Sequence, residues 1–332
     1  MRKLQIYIFA LIFLFIYSPV FSQDSGTIIY VAVHDSRNEN ENLKHSGIYI
    51  SKDLGNTWTN IGWKSAKMFQ VMPLESDKGR TIFLAAGNGV IKSVDAGETW
   101  KITTGWDVTE VLDIVSDPLN ENTLYMGCAY GICKSVDNGE SWSFRNEGLK
   151  YRFVDAVAVN RNDTNNIFAG TDRGLFVSNN QGESWKVSAF EDIPILNVTQ
   201  DPVENNFIYL STEDDGVYKS SDYGRTWKAV NRGLNHQTVY DIAIDIADNK
   251  RVFLATFGGG VYFSDNYGEQ WQQTNLKDKT VLSIDIHPFD RMFLVCGTKK
   301  NGVMISFDGG INWRQTAFSD AQVYGVKILK VR

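Results

Sequence analysis

Three aspartates carry most of the catalytic potential of this chain, because they share one position of a recurring sequence unit. The seven residues aligned at that position are Gln70, Asp113, Asp155, Asn197, Asp241, Ser283 and Gly325. Carboxylates that lie close together raise one another's pKa and can act as acid and base, as glycoside hydrolysis requires. The alternative is a hydrated polar ring that binds backbone groups and water. Near-symmetry favours this alternative, since catalysis needs unlike environments.

Aromatic side chains form a second set of candidates. Trp63 and Trp106 each follow a glycine, in equivalent loops of the first two repeats. Exposed aromatic clusters suit sugar rings or protein hot spots; the alternative is that both tryptophans fill gaps between sheets. The full set of ligand-binding candidates is Trp63, Trp106, Tyr130, Tyr151, Arg152 and Asn197.

Two loops break the repeat and offer further binding positions. The longest insertion runs from His34 to His45, and a shorter acidic loop contains Glu213, Asp214 and Asp215. Loops that depart from a repeat are where binding specificity tends to lie. The alternative for both is a solvated polar loop.

The three cysteines do not have the spacing of a metal site. Cys128 and Cys133 flank a predicted hairpin turn and could pair in an oxidising compartment. Direct cross-strand bridges are strained, so two free thiols are the alternative. We predict no metal and no cofactor.

A repeat of 42 to 44 residues organises the elements that position these side chains. Its frame is Gly-[Ile/Leu/Val]-x-x-Ser-x-[Asp/Asn]-x-Gly-x-x-Trp, and it occurs seven times. We call the stretch from Ser to Trp the box. The acidic or amide positions of the seven boxes are Asp53, Asp95, Asp137, Asn180, Asp222, Asn266 and Asp308. Their side chains should bond backbone N–H groups two residues on, with the glycine at positive φ and the tryptophan between neighbouring sheets.

This frame resembles the Asp-box, or BNR, repeat of sialidases, sortilin-type receptor domains, xyloglucan-cleaving hydrolases and photosystem II assembly-factor propellers. The resemblance implies that the box is architectural and that ligands bind on the opposite face. The Arg-Ile-Pro motif expected of a sialidase is absent. Xyloglucan-cleaving enzymes normally pair two propellers across a cleft, whereas one propeller leaves no second wall.

Each repeat contains four short strand patterns, which is one propeller blade. Residues 27–33 match a second strand and residues 323–329 match a first strand. The sequence therefore predicts an all-β, seven-bladed propeller with four-stranded antiparallel blades. Its ring should be closed by the C-terminal strand in blade 1, which leaves no free edge at the seam.

The first 22 residues read as a secretory signal peptide, and residues 23–332 as a single propeller domain. Arg2 and Lys3 precede an apolar run that is short for a membrane span. Without those two cations, 31 Lys and Arg face 39 Asp and Glu, a net charge of −8. This balance argues against nucleic acid as a partner. We expect a secreted or periplasmic monomer with no membrane span after cleavage.

Three functions remain open. The first is a non-catalytic binding or scaffold module for a protein or polysaccharide, which the regular propeller favours. The second is a glycoside hydrolase, xyloglucanase-like or sialidase-like, whose candidate catalytic residues are Asp113, Asp155 and Asp241. The third is an exported assembly factor for a membrane complex, which the photosystem-type resemblance implies and the acidic charge weakens.

Overall fold

The computed structural model of the chain describes residues 26–34, 46–64 and 66–331. The predicted signal peptide and residues 35–45 of the insertion lie outside the described residues. Within them the chain folds into seven four-stranded antiparallel sheets. No helix long and apolar enough to cross a membrane occurs in this described part.

The strands follow one another in chain order, four to a blade, except in blade 1, where three of them are joined by the strand of residues 322–330. The strands of blades 1 to 4 are β1 (Thr27–His34), β2 (Gly47–Ser51), β3 (Thr59–Gly62), β4 (Met68–Pro73), β5 (Ile82–Ala86), β6 (Gly89–Ser93), β7 (Lys101–Ile102), β8 (Val111–Asp117), β9 (Asn120–Cys128), β10 (Gly131–Ser135), β11 (Ser143–Phe144), β12 (Val154–Val159), β13 (Ile167–Thr171), β14 (Gly174–Ser178) and β15 (Lys186–Ala189). The remaining strands are β16 (Ile195–Gln200), β17 (Ile208–Thr212), β18 (Val217–Ser220), β19 (Lys228–Ala229), β20 (Val239–Ile244), β21 (Val252–Thr256), β22 (Gly260–Ser264), β23 (Gln272–Gln273), β24 (Val281–Ile286), β25 (Leu294–Thr298), β26 (Val303–Ser306), β27 (Arg314–Ala317) and β28 (Gln322–Lys330).

The predicted ring closure is confirmed. β28 pairs antiparallel with β1, from Thr27 opposite Lys330 to His34 opposite Gln322, and completes blade 1. The innermost strands β4, β8, β12, β16, β20, β24 and β28 contact one another in sequence around a closed ring. The fold is therefore the seven-bladed propeller that the repeat predicts.

Small residues allow neighbouring blades to approach. The second strands carry Ala32, Ala85, Gly127, Gly170, Ser211, Ala255 and Gly297 at equivalent register positions. A Cβ on Gly127 would lie 2.8 Å from the Val154 carbonyl oxygen of the next blade, and one on Gly297 only 2.4 Å from that of Val323. Larger residues here would push the blades apart, because these contacts are with backbone.

The boxes form identical turns, with one difference from the expected hydrogen bonding. In every box the Ser hydroxyl donates to the Asp or Asn side chain at 2.7 to 2.8 Å and accepts from the Gly N–H. The acidic or amide side chain accepts from the N–H four residues on, not two. Two consecutive residues at positive φ, such as Asn138 and Gly139, make the turn wide enough for this longer reach.

The boxes also join the blades. Trp100, Trp185 and Trp271 donate their indole N–H to backbone carbonyls of the preceding blade at 2.6 to 2.7 Å. Buried Lys92 reaches the box of the next blade, where it donates to the Asn138 carbonyl at 2.6 Å and pairs with Glu140. Hydrogen bonds and ion pairs on the box face thus link neighbouring blades, although the buried indole N–H of Trp227 has no partner among the described residues.

Cys128 and Cys133 are free thiols in the structure rather than a disulfide. The register places Cys128 opposite Gly131 and Cys133 opposite Met126, so the two are diagonal neighbours and not a facing pair. Both are buried, and the Cys128 thiol donates to the Gly131 carbonyl at 3.4 Å. The hydrogen bond between the two thiols, together with burial, raises the pKa of Cys133, as expected of an unreactive thiol in the core.

Candidate functional site

A cavity of about 510 Å³ follows the propeller axis and is walled by the innermost strands. It extends from Tyr240 and Tyr324, near the start of these strands, to Pro202 and Pro288 in the turns that follow them. The end of the cavity at which the innermost strands begin lies on one face of the propeller. That face is made by the loops from the fourth strand of one blade to the first strand of the next and by the turns between second and third strands. We call this the open face, and the opposite one the box face.

Six of the innermost strands begin with a register irregularity of one residue, and β28 has one as well. The extra residue turns towards the axis at the top of the cavity. These residues, which we call the mouth ring, are Phe69, Leu112, Asp155, Leu196, Tyr240, Leu282 and Tyr324, and all seven line the cavity.

One step deeper lies a second ring, the polar ring, whose members also follow from the register. They are Gln70, Asp113, Ala156, Asn197, Asp241, Ser283 and Gly325. The predicted alignment was wrong in blade 4, because it placed Asp155 here. Val154 pairs with the last residue of β13, as Val111 does with that of β9, so Ala156 is the true counterpart of Asp113. Asp155 belongs to the mouth ring.

The polar ring ties neighbouring blades together. Gln70 accepts from the Ile114 N–H at 2.8 Å, and the Asp113 carboxylate accepts from the Val157 N–H at 2.7 Å. In the same manner Asp241 accepts from the Ile284 N–H at 3.0 Å. Each acceptor satisfies a backbone donor of the following blade, which is the expected role of a buried polar ring.

Asn197 and Asp241 are directly bonded. The Asn197 side-chain N–H donates to Asp241 at 3.1 Å, and its oxygen accepts from the Thr199 hydroxyl at 2.6 Å. Below this ring, Asp285 accepts from the Ile328 N–H at 2.7 Å and forms an ion pair with Lys327 at 3.3 Å. The charge of Asp285 raises the pKa of Lys327, so the pair fixes blade 7 to the closing strand.

The three candidate carboxylates share an elevated pKa but not an environment. Burial raises the pKa of Asp113 and of Asp241 to about 6. Burial, together with the charges of Asp172 and Glu213, raises the pKa of Asp155 to about 7. Asp155 accepts no hydrogen bond from any described residue, whereas the other two carboxylates are bonded to backbone.

The aromatic candidates do not meet the aspartates in one pocket, since none of them lines the axial cavity. Trp63 packs against the core between blades 1 and 2, as the gap-filling alternative predicted. Trp106 is 94% exposed on the open face, and Tyr130 is 48% exposed. Tyr151 packs edge-on against Phe176 and is covered by Lys150 and Arg173, whereas neighbouring Arg152 is exposed.

Sequence reasoning missed the aromatic members of the mouth ring, which are Phe69, Tyr240 and Tyr324. In the sequence they look like ordinary strand residues, because the register irregularity that exposes them leaves no composition signal. Alignment on the conserved spacing to the end of the second strand would have revealed it. No group of three or more His, Cys, Asp or Glu in the described ranges is placed to hold a metal ion.

Comparison with known proteins gives one partial family match. A family model described as sortilin, neurotensin receptor 3, matches residues 215–327. Vacuolar protein sorting/targeting protein 10 of Arthroderma otae is 32% identical over 87 residues, which are 26% of this chain and 6% of that protein. The chain is thus similar to a small part of a much longer relative.

Solved structures give broader coverage at lower identity. A GH74 enzyme of Niastella koreensis has a TM-score of 0.66 at 18% identity, over 85% of this chain and 50% of that one. YCF48 of Cyanidioschyzon merolae has a TM-score of 0.60 at 16% identity, over 83% of this chain and 98% of that one. A further similar structure is described as YCF48 bound to D1 peptide. These likenesses are of fold.

Proposed function

We propose that this chain is a secreted or periplasmic, non-catalytic binding propeller that recognises a protein through its open face. In this proposal residues 1–22 are the signal peptide, and residues 23–332 form one domain of seven architectural Asp-box repeats. The similarity to a sortilin-type family model is compatible with an exported location. The structure described as YCF48 bound to D1 peptide is a precedent for peptide binding on a related fold.

The observation that carries the proposal is how the axial carboxylates are used. Asp113 and Asp241 each hold a backbone N–H of the neighbouring blade, at 2.7 and 3.0 Å. A carboxylate held in such a bond links two blades of the propeller and is not free to act on a substrate. Both aspartates occupy the same position of the repeat. Trp106 and Tyr130, by contrast, are exposed aromatic side chains on the open face, where they are available to a partner.

Cross-linking in the exporting cells tests this proposal. Tagged protein is expressed in its native host, cross-linked to its neighbours, purified and analysed by mass spectrometry. We expect cross-links to a specific protein from open-face lysines such as Lys67 and Lys299, and none from box-face lysines such as Lys101. Recovery of no partner above background, or cross-links confined to the box face, would contradict the proposal.

A glycoside hydrolase is the second candidate, and Asp155 alone supports it. Its carboxyl group lines the cavity, accepts no hydrogen bond from the described residues and has a pKa raised to about 7 by burial and nearby acids. A general acid needs these properties. Polysaccharides are screened for reducing-end release with wild type and with Asp155→Asn, Asp113→Asn and Asp241→Asn. Release that only Asp155→Asn abolishes would favour the hydrolase; release unchanged in all three variants would exclude these residues.

A further inference from the structure

The charged groups around the cavity entrance are distributed unevenly. Asp155 is the sole charged member of the mouth ring, and it belongs to blade 4. Asp172, in the second-to-third turn of blade 4, and Glu213, in that of blade 5, lie close enough for their charges to raise its pKa. Asp172 and Glu213 are exposed and form no ion pair with any described residue. Exposed Arg152 and Arg173 lie in neighbouring loops of blade 4, but neither forms an ion pair with these three acids, so the acids give this part of the mouth its charge.

The opposite side of the mouth is cationic and aromatic. The Lys67 ammonium, just before β4, lies 4.8 Å from the ring centroid of Phe69 and 4.6 Å from that of Tyr324. Lys299, in the second-to-third turn of blade 7, leans towards blade 6, where its ammonium lies 5.8 Å from the ring centroid of Phe257. Both lysines are exposed, and neither has a carboxylate partner among the described residues.

Ring geometry makes these two sides face each other. In a closed ring of seven, blades 4 and 5 stand across the axis from blade 1, and the Lys67 ammonium lies at the seam of blades 1 and 2, against Tyr324 of β28. Among the described residues no ion pair joins Lys67 to Asp155, Asp172 or Glu213. The protein walls of such an opening have a low dielectric constant and focus the field of the charges at its rim.

We propose that the mouth binds an extended peptide segment that carries both a basic and an acidic side chain. The lysine or arginine of the segment sits at Asp155, between Asp172 and Glu213. Its aspartate or glutamate lies towards Lys67, and its apolar side chains contact Tyr240, Phe69 and Tyr324. The inference deepens the proposed function and rests on it.

A peptide fits this arrangement better than a neutral glycan. Aromatic rings alone would suit a sugar, but they would leave Asp155 half-buried beside two like charges with no counter-ion. A bound cation relieves the repulsion among these three carboxylates. Binding is therefore favoured because it removes an unfavourable electrostatic energy of the free protein. The polarity across the mouth also fixes the direction in which the segment lies.

Selection from a displayed library of random dodecapeptides tests the inference. The library is panned on immobilised wild-type protein, on Asp172→Lys/Glu213→Lys, and on the control Glu98→Lys/Glu121→Lys. The control changes two exposed box-face glutamates and so gives the same change in net charge. We expect wild type and control to enrich peptides that combine Lys or Arg with Asp or Glu. The mouth variant should lose the Lys and Arg enrichment.

A selected peptide is then titrated against the three proteins by fluorescence anisotropy. We expect binding at least about tenfold weaker to the mouth variant, since two charge contacts become repulsive, and unchanged binding to the control. Peptides selected without basic residues, or equal weakening in both variants, would overturn the inference. If open-face cross-links to a native partner persist in that case, the proposed function stands and only the ligand polarity is wrong; cross-links on the box face would remove both.

Discussion

The two faces of this propeller are built on opposite plans. On the box face the same Ser, Asp or Asn, Gly and Trp recur in every blade, and the Ser, the Asp or Asn and the Gly make the same hydrogen bonds seven times. On the open face each blade differs: Trp106 and Tyr130 near blade 3, acids on blades 4 and 5, and Lys299 on blade 7. Repetition stabilises the ring, whereas the departures from repetition leave side chains free to meet a ligand.

The polar ring and the mouth ring repeat this contrast along the axis, one residue apart. Asp113 and Asp241 belong to the polar ring, and each accepts a backbone N–H of the following blade. Asp155 belongs to the mouth ring and accepts no hydrogen bond from the described residues. Carboxylates in neighbouring rings of one channel can therefore have different roles. The number of hydrogen bonds that each accepts from the protein shows which role it has.

The largest effect should come from breaking a box. Ser135→Ala removes a buried hydroxyl that donates to Asp137 and accepts from the Gly139 N–H. Buried backbone donors without a partner are costly, so we expect a loss of about 3 kcal/mol in the free energy of unfolding, measured by chemical denaturation. Under conditions in which the variant is fully folded, its affinity for the ligand should equal that of the wild type.

The matched control is in the same box. Ser141→Ala removes one exposed hydroxyl bond to Asp137, and its cost should be under about 1 kcal/mol. Equal losses in the two variants would show that the buried hydroxyl has no special role.

The next effect concerns the open face. Trp106→Ala should weaken partner binding by about 2 kcal/mol, or about thirtyfold, because exposed tryptophans are frequent anchors of protein interfaces. Its effect on unfolding should stay within about 0.5 kcal/mol, since the side chain is 94% exposed. Binding is measured by surface plasmon resonance with the partner identified by cross-linking. Unchanged affinity would show that the partner does not contact the open face near blade 3.

The smallest effect is the pH dependence of stability, to which the carboxylates of the channel and those of the boxes contribute with opposite sign. Burial raises the pKa of Asp113 and Asp241 to about 6 and that of Asp155 to about 7. The folded state then binds more protons than the unfolded state between about pH 4 and 7, so stability falls as pH rises through this range. Hydrogen bonds from Ser141 and Thr226 lower the pKa of Asp137 and Asp222 to about 2, so their contribution is lost as pH falls below about 4.

Maximum stability should therefore lie near pH 4 to 5 rather than at neutrality, as judged by the unfolding temperature across the pH range. Asp155→Asn should flatten the neutral side of this profile and leave the acid side unchanged. An unfolding temperature that rises steadily from pH 4 to 7 would contradict the assignment of elevated pKa values to the channel.

The sequence was sufficient for the fold but not for the site. Seven equally spaced boxes specify seven blades, and the strand phase of residues 27–33 and 323–329 specifies the closure. The ring of Asp155 was mistaken because a single extra residue at each strand start shifts side chains between rings, and neither composition nor hydrophobic alternation shows that shift. The grouping of Lys67 with Tyr324, 257 residues apart in the chain, depends on closure of the ring and has no local signal.

The pairing of β28 with β1 also has a consequence during synthesis. Among the seven blades, blade 1 is the first to be synthesised and the last to be completed, since its innermost strand is residues 322–330. Until that strand arrives, the edge of β1 has no partner and the ring cannot shut. An unfinished edge strand invites aggregation, so we expect cells to keep this chain unfolded, or protected by a chaperone, until its last turn has been made.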